Sequence, residues 1–339
     1  MKMKNQPKCL GTGLLSLDLI YKDSTKPLAA AGGSCGNVMA MLTSFGWDAR
    51  PAGRIGEDLA ASILLHDLIS LGVNTDFIYQ DKNSHTPIIL EFLNMSGSES
   101  GHSFSRTCHI TQQKLPRYEA LHDAEICNIL KSVDEFDYYY FDRLDNNALK
   151  LASRFSQQGK PVFFEPQKIS SVTQFLEVLP HVSVLKISDE TALNLSDALN
   201  QCLPDLTIVT HGKEGLSYRC SDGRHASIPA MRNENVVDAC GSGDWLSASI
   251  INEMFVQQIT SFSVLSTRAI ENVLFNSQMK STDNLSYVGA RGAMYKQITP
   301  VDEIVYPFSI DFGANSVGNY MQLQDDVAPS GLLSQTVLS

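Results

Sequence analysis

The residues of this chain best suited to chemistry lie together in Asp238-Ala239-Cys240-Gly241-Ser242-Gly243-Asp244, where a short glycine turn ends in a carboxylate as an apolar helical pattern begins. Two glycines let the backbone turn tightly and expose successive N–H groups that no side chain shields. The helix that follows aims its own free N–H groups and positive dipole end at the same point. Such a place suits a phosphate or another developing anion. A carboxylate beside it repels a passive anion, but makes sense as a base that takes a proton from the nucleophile attacking a phosphate. Taken alone, the string equally fits an aspartate that caps a helix after a flexible loop.

These residues need a scaffold, and short apolar runs alternating with helical patterns indicate one: a mainly parallel α/β sheet wrapped by helices. Continuous hydrophobicity marks buried strands at Cys9–Leu19, Phe136–Phe141, Pro161–Glu165, Val182–Ile187 and Leu206–Thr210. Helical patterns fall at Asn37–Phe45, Leu59–Leu71, Asn147–Gln157 and Asp189–Ala198, with Ser34 or Asn37 and Ser188 with Asp189 as capping residues. Residues 20–31 and 82–118 break the rhythm and read as a small β-appendage at the sheet's edge, placed to cover a ligand. Residues 1–310 thus form one domain with these lid segments inserted, and 311–339, rich in Gly, Ser, Asn and Gln, form a loosely packed tail. Asp18, near the end of the first strand, would sit where ligand crevices open in such sheets.

The turn resembles the C-terminal signature of the PfkB, or ribokinase-like, carbohydrate kinases, Asp-Thr-x-Gly-Ala-Gly-Asp, with Ala239 in place of the threonine. Gly32-Gly33-Ser34-Cys35-Gly36-Asn37 and Gly53-Arg54-Ile55-Gly56-Glu57-Asp58 are similar to the family's N-terminal signature, and the second piece reads as structural. Thr210-His211-Gly212-Lys213-Glu214-Gly215 resembles its nucleotide loop, and Ser188-Asp189-Glu190-Thr191 its Asn-x-x-Glu segment with the glutamate displaced. The resemblance covers about residues 8–300 and implies a ribokinase-like doubly wound sheet with a β lid.

The activity it implies is ATP-dependent transfer of the γ-phosphoryl group to a hydroxyl of a fructose- or ribose-like sugar. Asp244 would be the base and Gly241, Ser242 and Gly243 the anion hole. Asp18, Gly33 and Asn37 would hold the sugar. Ser188, Thr210, Gly212, Gly215 and Asn276 would face the nucleotide, with the stretch Tyr287–Tyr295 near the adenine. Glu190 and Glu165 would organise Mg²⁺ through water. Lids of the family often pair, which implies a homodimer. A nucleoside kinase of the same fold, with Phe104 or the Tyr138–Tyr140 run over a base, and a binding protein without turnover stay open as alternatives.

Composition narrows the classes. A formal net charge of −11, with no basic run, argues against nucleic acid as a partner. Seven cysteines, widely spaced and without a Cys-x-x-Cys pair, fit reduced thiols and a cytoplasmic location. No uninterrupted apolar stretch long enough for a membrane span occurs, and the basic start lacks a cleavage-like end. His102, Cys108 and His109 lack the ligand spacing of a closed zinc site. Walker A, Gly-x-Ser-x-Gly and His-Glu-x-x-His strings are absent.

Overall fold

The apolar runs pair in a computed structural model that describes residues 6–22, 27–94, 101–295 and 308–309. The expected tail, 311–339, lies outside the described residues. The chain opens with β1 (Lys8–Thr12), β2 (Ser16–Tyr21) and β3 (Leu28–Gly32), followed by α1 (Ser34–Ser44), β4 (Asp48–Gly56), α2 (Leu59–Ser70) and β5 (Phe77–Asp81). Next come β6 (Ile88–Asn94), β7 (Gly101–Ser105), α3 (Asp123–Lys131), β8 (Tyr138–Phe141), α4 (Asn146–Gln157), β9 (Val162–Phe164) and α5 (Val172–Val178). Then follow β10 (Val184–Ser188), α6 (Asp189–Asn194), α7 (Ser196–Gln201), β11 (Leu206–Thr210), β12 (Gly215–Cys220) and β13 (His225–Pro229). The last described elements are α8 (Ser242–Val256), α9 (Thr267–Asn284), α10 (Gly292–Tyr295) and β14 (Phe308–Ser309).

Nine of these strands form the central sheet in the order β13-β12-β11-β10-β9-β8-β1-β4-β5, parallel from β11 to β5 and closed by an antiparallel hairpin. Helices cover both faces, with Val38, Trp47, Ile250 and Leu274 in the core on one side and Leu151, Phe155, Phe164 and Phe175 on the other. The expected α/β doubly wound sheet is present. So is the lid, a second sheet in the order β14-β3-β2-β6-β7.

Three expectations need correction. The apolar run Cys9–Leu19 is two strands, because Gly13 adopts a φ of 139° and turns the chain out of the central sheet into the lid. A Cβ at Gly13 would fall on the Asp142 carboxylate, which instead accepts the Leu14 amide at 2.9 Å. Asp18 therefore lies mid-strand in the lid, not at the end of a central strand. The helix expected over Asp189–Ala198 is two short ones, broken at Leu195 with φ −112° and ψ 10°. Period-two alternation in the lid sends Leu17, Leu19, Ile88 and Leu90 to a small core against Ala60 and Ile63 of α2, leaving Asp18, Ile89 and Glu91 on the opposite face.

A buried ion pair fastens the lid to the rest. Asp67 of α2 accepts Arg291 Nη2 at 2.6 Å, the Ala31 amide at 2.7 Å and Tyr295 Oη at 3.1 Å. Removing one partner of such a pair strands a buried charge, so Asp67→Asn is expected to lower stability by about 3–5 kcal/mol in urea unfolding. A change within about 0.5 kcal/mol, as for an ordinary surface substitution, would contradict this.

Candidate functional site

Strands β4 and β5 follow β1 on one side and β8 to β11 lie on the other, so the winding reverses between β1 and β8. A crevice opens at the carboxyl ends of strands where that happens. Asp142, directly after β8, is fully buried there and accepts the amides of Leu14 at 2.9 Å and Cys35 at 3.0 Å. Those bonds join the exit of β1 to the first turn of α1. Burial raises the Asp142 carboxyl to about 6, against the pull of Arg143 and the two amides. Asn37, one turn into α1, donates its Nδ2 to Asp244 Oδ2 at 2.8 Å, while its own Oδ1 is buried without a partner.

Asp244 sits in the first turn of α8, whose N-cap is Gly241 in the left-handed region at φ 72° with no side-chain cap. A Cβ on Gly241 would lie 2.5 Å from Ala290 Cα, so both conformation and space demand glycine. Asp238 secures the turn from below by accepting the Cys240 amide at 2.9 Å and the Gly289 amide at 2.7 Å. Among the described residues the amides of Gly241 and Gly243 have no acceptor, and that of Ser242 has only Ala239 O at 3.3 Å. The turn is thus a cluster of under-used donors at a helix N-terminus, suited to an anion.

Asp244 is 9% exposed, and burial together with the nearby Glu165 carboxylate raises it to about 8. The Asn37 hydrogen bond and the Lys186 ammonium oppose that rise. Glu165, just past β9, pairs with the buried Lys186 and accepts hydrogen bonds from Ser247 Oγ and, at 3.1 Å, Tyr140 Oη. On the lid side Asp18 accepts Ser16 Oγ at 2.7 Å, and burial lifts its carboxyl to about 6.

A cavity of about 290 Å³ brings together Asp18, Gly33, Asn37, Glu165, Gly241, Ser242, Gly243 and Asp244. Phe104 lines it as well, but the residues expected to face the nucleotide, and Glu190, do not. Ser188 and Thr210 sit in register at the ends of β10 and β11, further along the same sheet edge. Gly212 and Gly215 flank the tight turn into β12, both with positive φ. Asn276 and Glu190 are exposed, on α9 and α6. The stretch Tyr287–Tyr295 packs beneath the turn and, through Arg291 and Tyr295, against Asp67, while Tyr138–Tyr140 is buried within the sheet. The reading of Gly53–Asp58 as structural agrees with Asp58, which caps α2 through the Ala61 amide and holds Thr86. A larger hollow of about 520 Å³ between α7 and the β12–β13 hairpin has no carboxylate in its lining.

Several residues of this region were not singled out from the sequence: Asp142, Lys186, Glu91 and Arg106, while His102 was weighed only with its chain neighbours Cys108 and His109. An isolated aspartate after an apolar strand and a lysine inside one were the available signals. The donors do not fit a resident Mg²⁺. Lys186 already neutralises Glu165, Glu190 lies off the cavity, and Thr191 offers no carboxylate. Magnesium arriving with a nucleotide would be held by phosphates and water.

Comparison with known proteins bears on the family and the fold. The pattern of the pfkB family carbohydrate kinases matches residues 23–255. A fructokinase from Klebsiella pneumoniae is 25% identical over 257 residues, covering 69% of this chain and 80% of the relative. The crystal structure of a fructokinase with bound ATP from Xylella fastidiosa superposes with a TM-score of 0.64 at 19% identity, over 84% of this chain and 93% of that one. An aminoimidazole riboside kinase from Salmonella enterica, complexed with aminoimidazole riboside and an ATP analogue, gives 0.63 at 19% identity over 85% and 96%.

The two glycines of the turn should respond differently to substitution. Gly241→Ala forces a strained conformation costing about 1–3 kcal/mol, plus overlap with Ala290. At Gly243 a Cβ would meet only Lys186 Nζ at 3.3 Å and Glu165 Oε1 at 3.6 Å. Thermal melts should show a large loss for Gly241→Ala and little for Gly243→Ala; equal losses would refute the left-handed turn.

Proposed function

The chain belongs to the pfkB family of carbohydrate kinases, phosphotransferases with an alcohol acceptor, and on that premise we propose the division of labour among its residues. The acceptor is the hydroxyl of a sugar lying in the cavity between the lid and α1. The observation that carries this reading is the juxtaposition of the buried Asp244 carboxylate with the amides of the Gly241–Gly243 turn.

Asp244 takes the proton of the acceptor hydroxyl, whose oxygen forms the new bond to the γ-phosphorus as the β–γ bridging P–O bond breaks and ADP leaves. The amides of Gly241, Ser242 and Gly243 meet charge on the transferring group, at a site fixed before reaction. Asn37 orients the Asp244 carboxylate through Nδ2 and offers its unpartnered Oδ1 to a sugar hydroxyl, beside Asp18 and the backbone of Gly33. ATP would enter as its magnesium complex along the edge formed by Ser188, Thr210 and the Gly212–Gly215 turn, with Asn276 facing the nucleotide and the ion held by phosphates and water rather than by Glu165 or Glu190. Support for that path is the position of Ser188 on β10, beside the strand that leads to Glu165, with Thr210 one strand further on. A lid closed over the cavity keeps water from the phosphoryl group. A homodimer through the lid belongs to the same proposal, and Phe104, 55% exposed, is the apolar side chain a second copy would cover.

A nucleoside acceptor is the second reading. The rings of His102 and Phe104, 4.8 Å apart at the cavity wall, supply a surface on which a base could stack.

Two measurements follow. Asp244→Asn should lower kcat by about 10²–10⁴-fold, the usual worth of a positioned base, with ligand affinity nearly unchanged. A residual rate within about threefold of wild type would remove Asp244 from this role, being far below that range. The base must be ionised, so kcat/KM should climb with pH and level off above about 8, where the free protein's Asp244 titrates. A profile already flat from pH 5 would show that no such group limits the reaction.

A further inference from the structure

We infer that Glu91, His102 and Asp238 form a site for one divalent transition-metal ion of the zinc class, joining the lid to the anion-binding turn. Glu91 stands on β6 and His102 on β7, diagonal neighbours on one face, since Glu91 pairs with Phe104 and Leu93 with His102. Asp238 begins the glycine turn. One ligand atom from each of the three lies within 4.8 Å of the others, and His102 Nδ1 is 3.2 Å from Asp238 Oδ1. Zinc bonds of about 2.0–2.2 Å require small rotations to draw them together.

The second observation is the state of Glu91. It is 1% exposed, and neither carboxylate oxygen has a hydrogen bond. The groups about it are the carboxylates of Asp238 and Asp18, the Cys240 thiol and the His102 imidazole. A carboxylate so placed needs either a proton or a cation. An imidazole among the donors favours zinc, cobalt or nickel over the all-oxygen coordination of calcium and magnesium. Three protein ligands leave a fourth position open, and His102 lines the cavity beside Asp18, so water or a sugar hydroxyl could complete the shell.

With two ligands from the lid and one from the turn, the ion would hold the lid down over the base. The site stands on these side-chain positions and not on the kinase reading.

The test is titration of the chelator-stripped full chain with Co²⁺. One equivalent should bind, giving visible absorption bands and a higher melting temperature, and Zn²⁺ should displace it. Glu91→Gln and His102→Ala should each weaken Co²⁺ binding by at least about tenfold, the loss that changes to outer partners alone produce. Metal-free Glu91→Gln should melt no lower than wild type, since a neutral amide matches the protonated carboxyl in size and charge. Should one variant fail to fold, the other decides. No stoichiometric Co²⁺ binding by wild type would overturn the site and leave Glu91 holding a proton. Binding unchanged in the folded variants would overturn it too, by placing the ion on other ligands such as the thiols.

Discussion

The left-handed turn at Gly241 is the constraint on which the remainder of the site depends. It presses against Ala290 so closely that no side chain fits, and Asp238 ties both sides of the contact by holding the amides of Cys240 and Gly289. The turn sets where α8 begins, and so where Asp244 points and which amides are left without acceptors. The same contact anchors the stretch that ends in Arg291 and Tyr295, which reach Asp67 and the Ala31 backbone of the lid strand β3. One backbone conformation therefore joins the glycine turn, the buried Asp244 carboxylate and the root of the lid.

Electrostatics around the cavity is the second organising fact. Asp18, Asp142, Asp244 and Glu165 face or border the cavity, and burial raises the first three. Three devices make this tolerable. Lys186 neutralises Glu165, backbone amides hold Asp142, and Asp244 stands close to neutrality, its pKa at about 8. In the base role proposed for it, a carboxyl balanced near neutral pH is well matched to proton transfer, because neither its proton affinity nor its ionised fraction is sacrificed.

What could be read from the sequence follows from how local each signal is. Gly241-Ser242-Gly243-Asp244 was legible because a positive φ and a helix start are both written within a few residues. The sheet was legible for the same reason, through short apolar runs that end in turns. The split of Cys9–Leu19 was not, because Leu14 and Leu15 keep the string apolar while Gly13 turns it toward the lid. Nor was the role of Asp142, whose partners Leu14 and Cys35 lie 128 and 107 residues away. Asp238 was recognised only as part of a signature, although its carboxylate is the pin beneath the turn. His102 was weighed with Cys108 and His109, its neighbours along the chain, whereas pairing of β6 with β7 places it by Glu91 and Asp238.

The central claim is that this cavity transfers a phosphoryl group to a hydroxyl held beside Asp244. The most direct measurement is ADP release from magnesium ATP over a panel of sugars and nucleosides, with the phosphorylated product identified by mass. The account predicts release stimulated by one acceptor and matched mole for mole by its phosphate ester. Acceptors that raise the melting temperature yet yield no ester at any pH would contradict it.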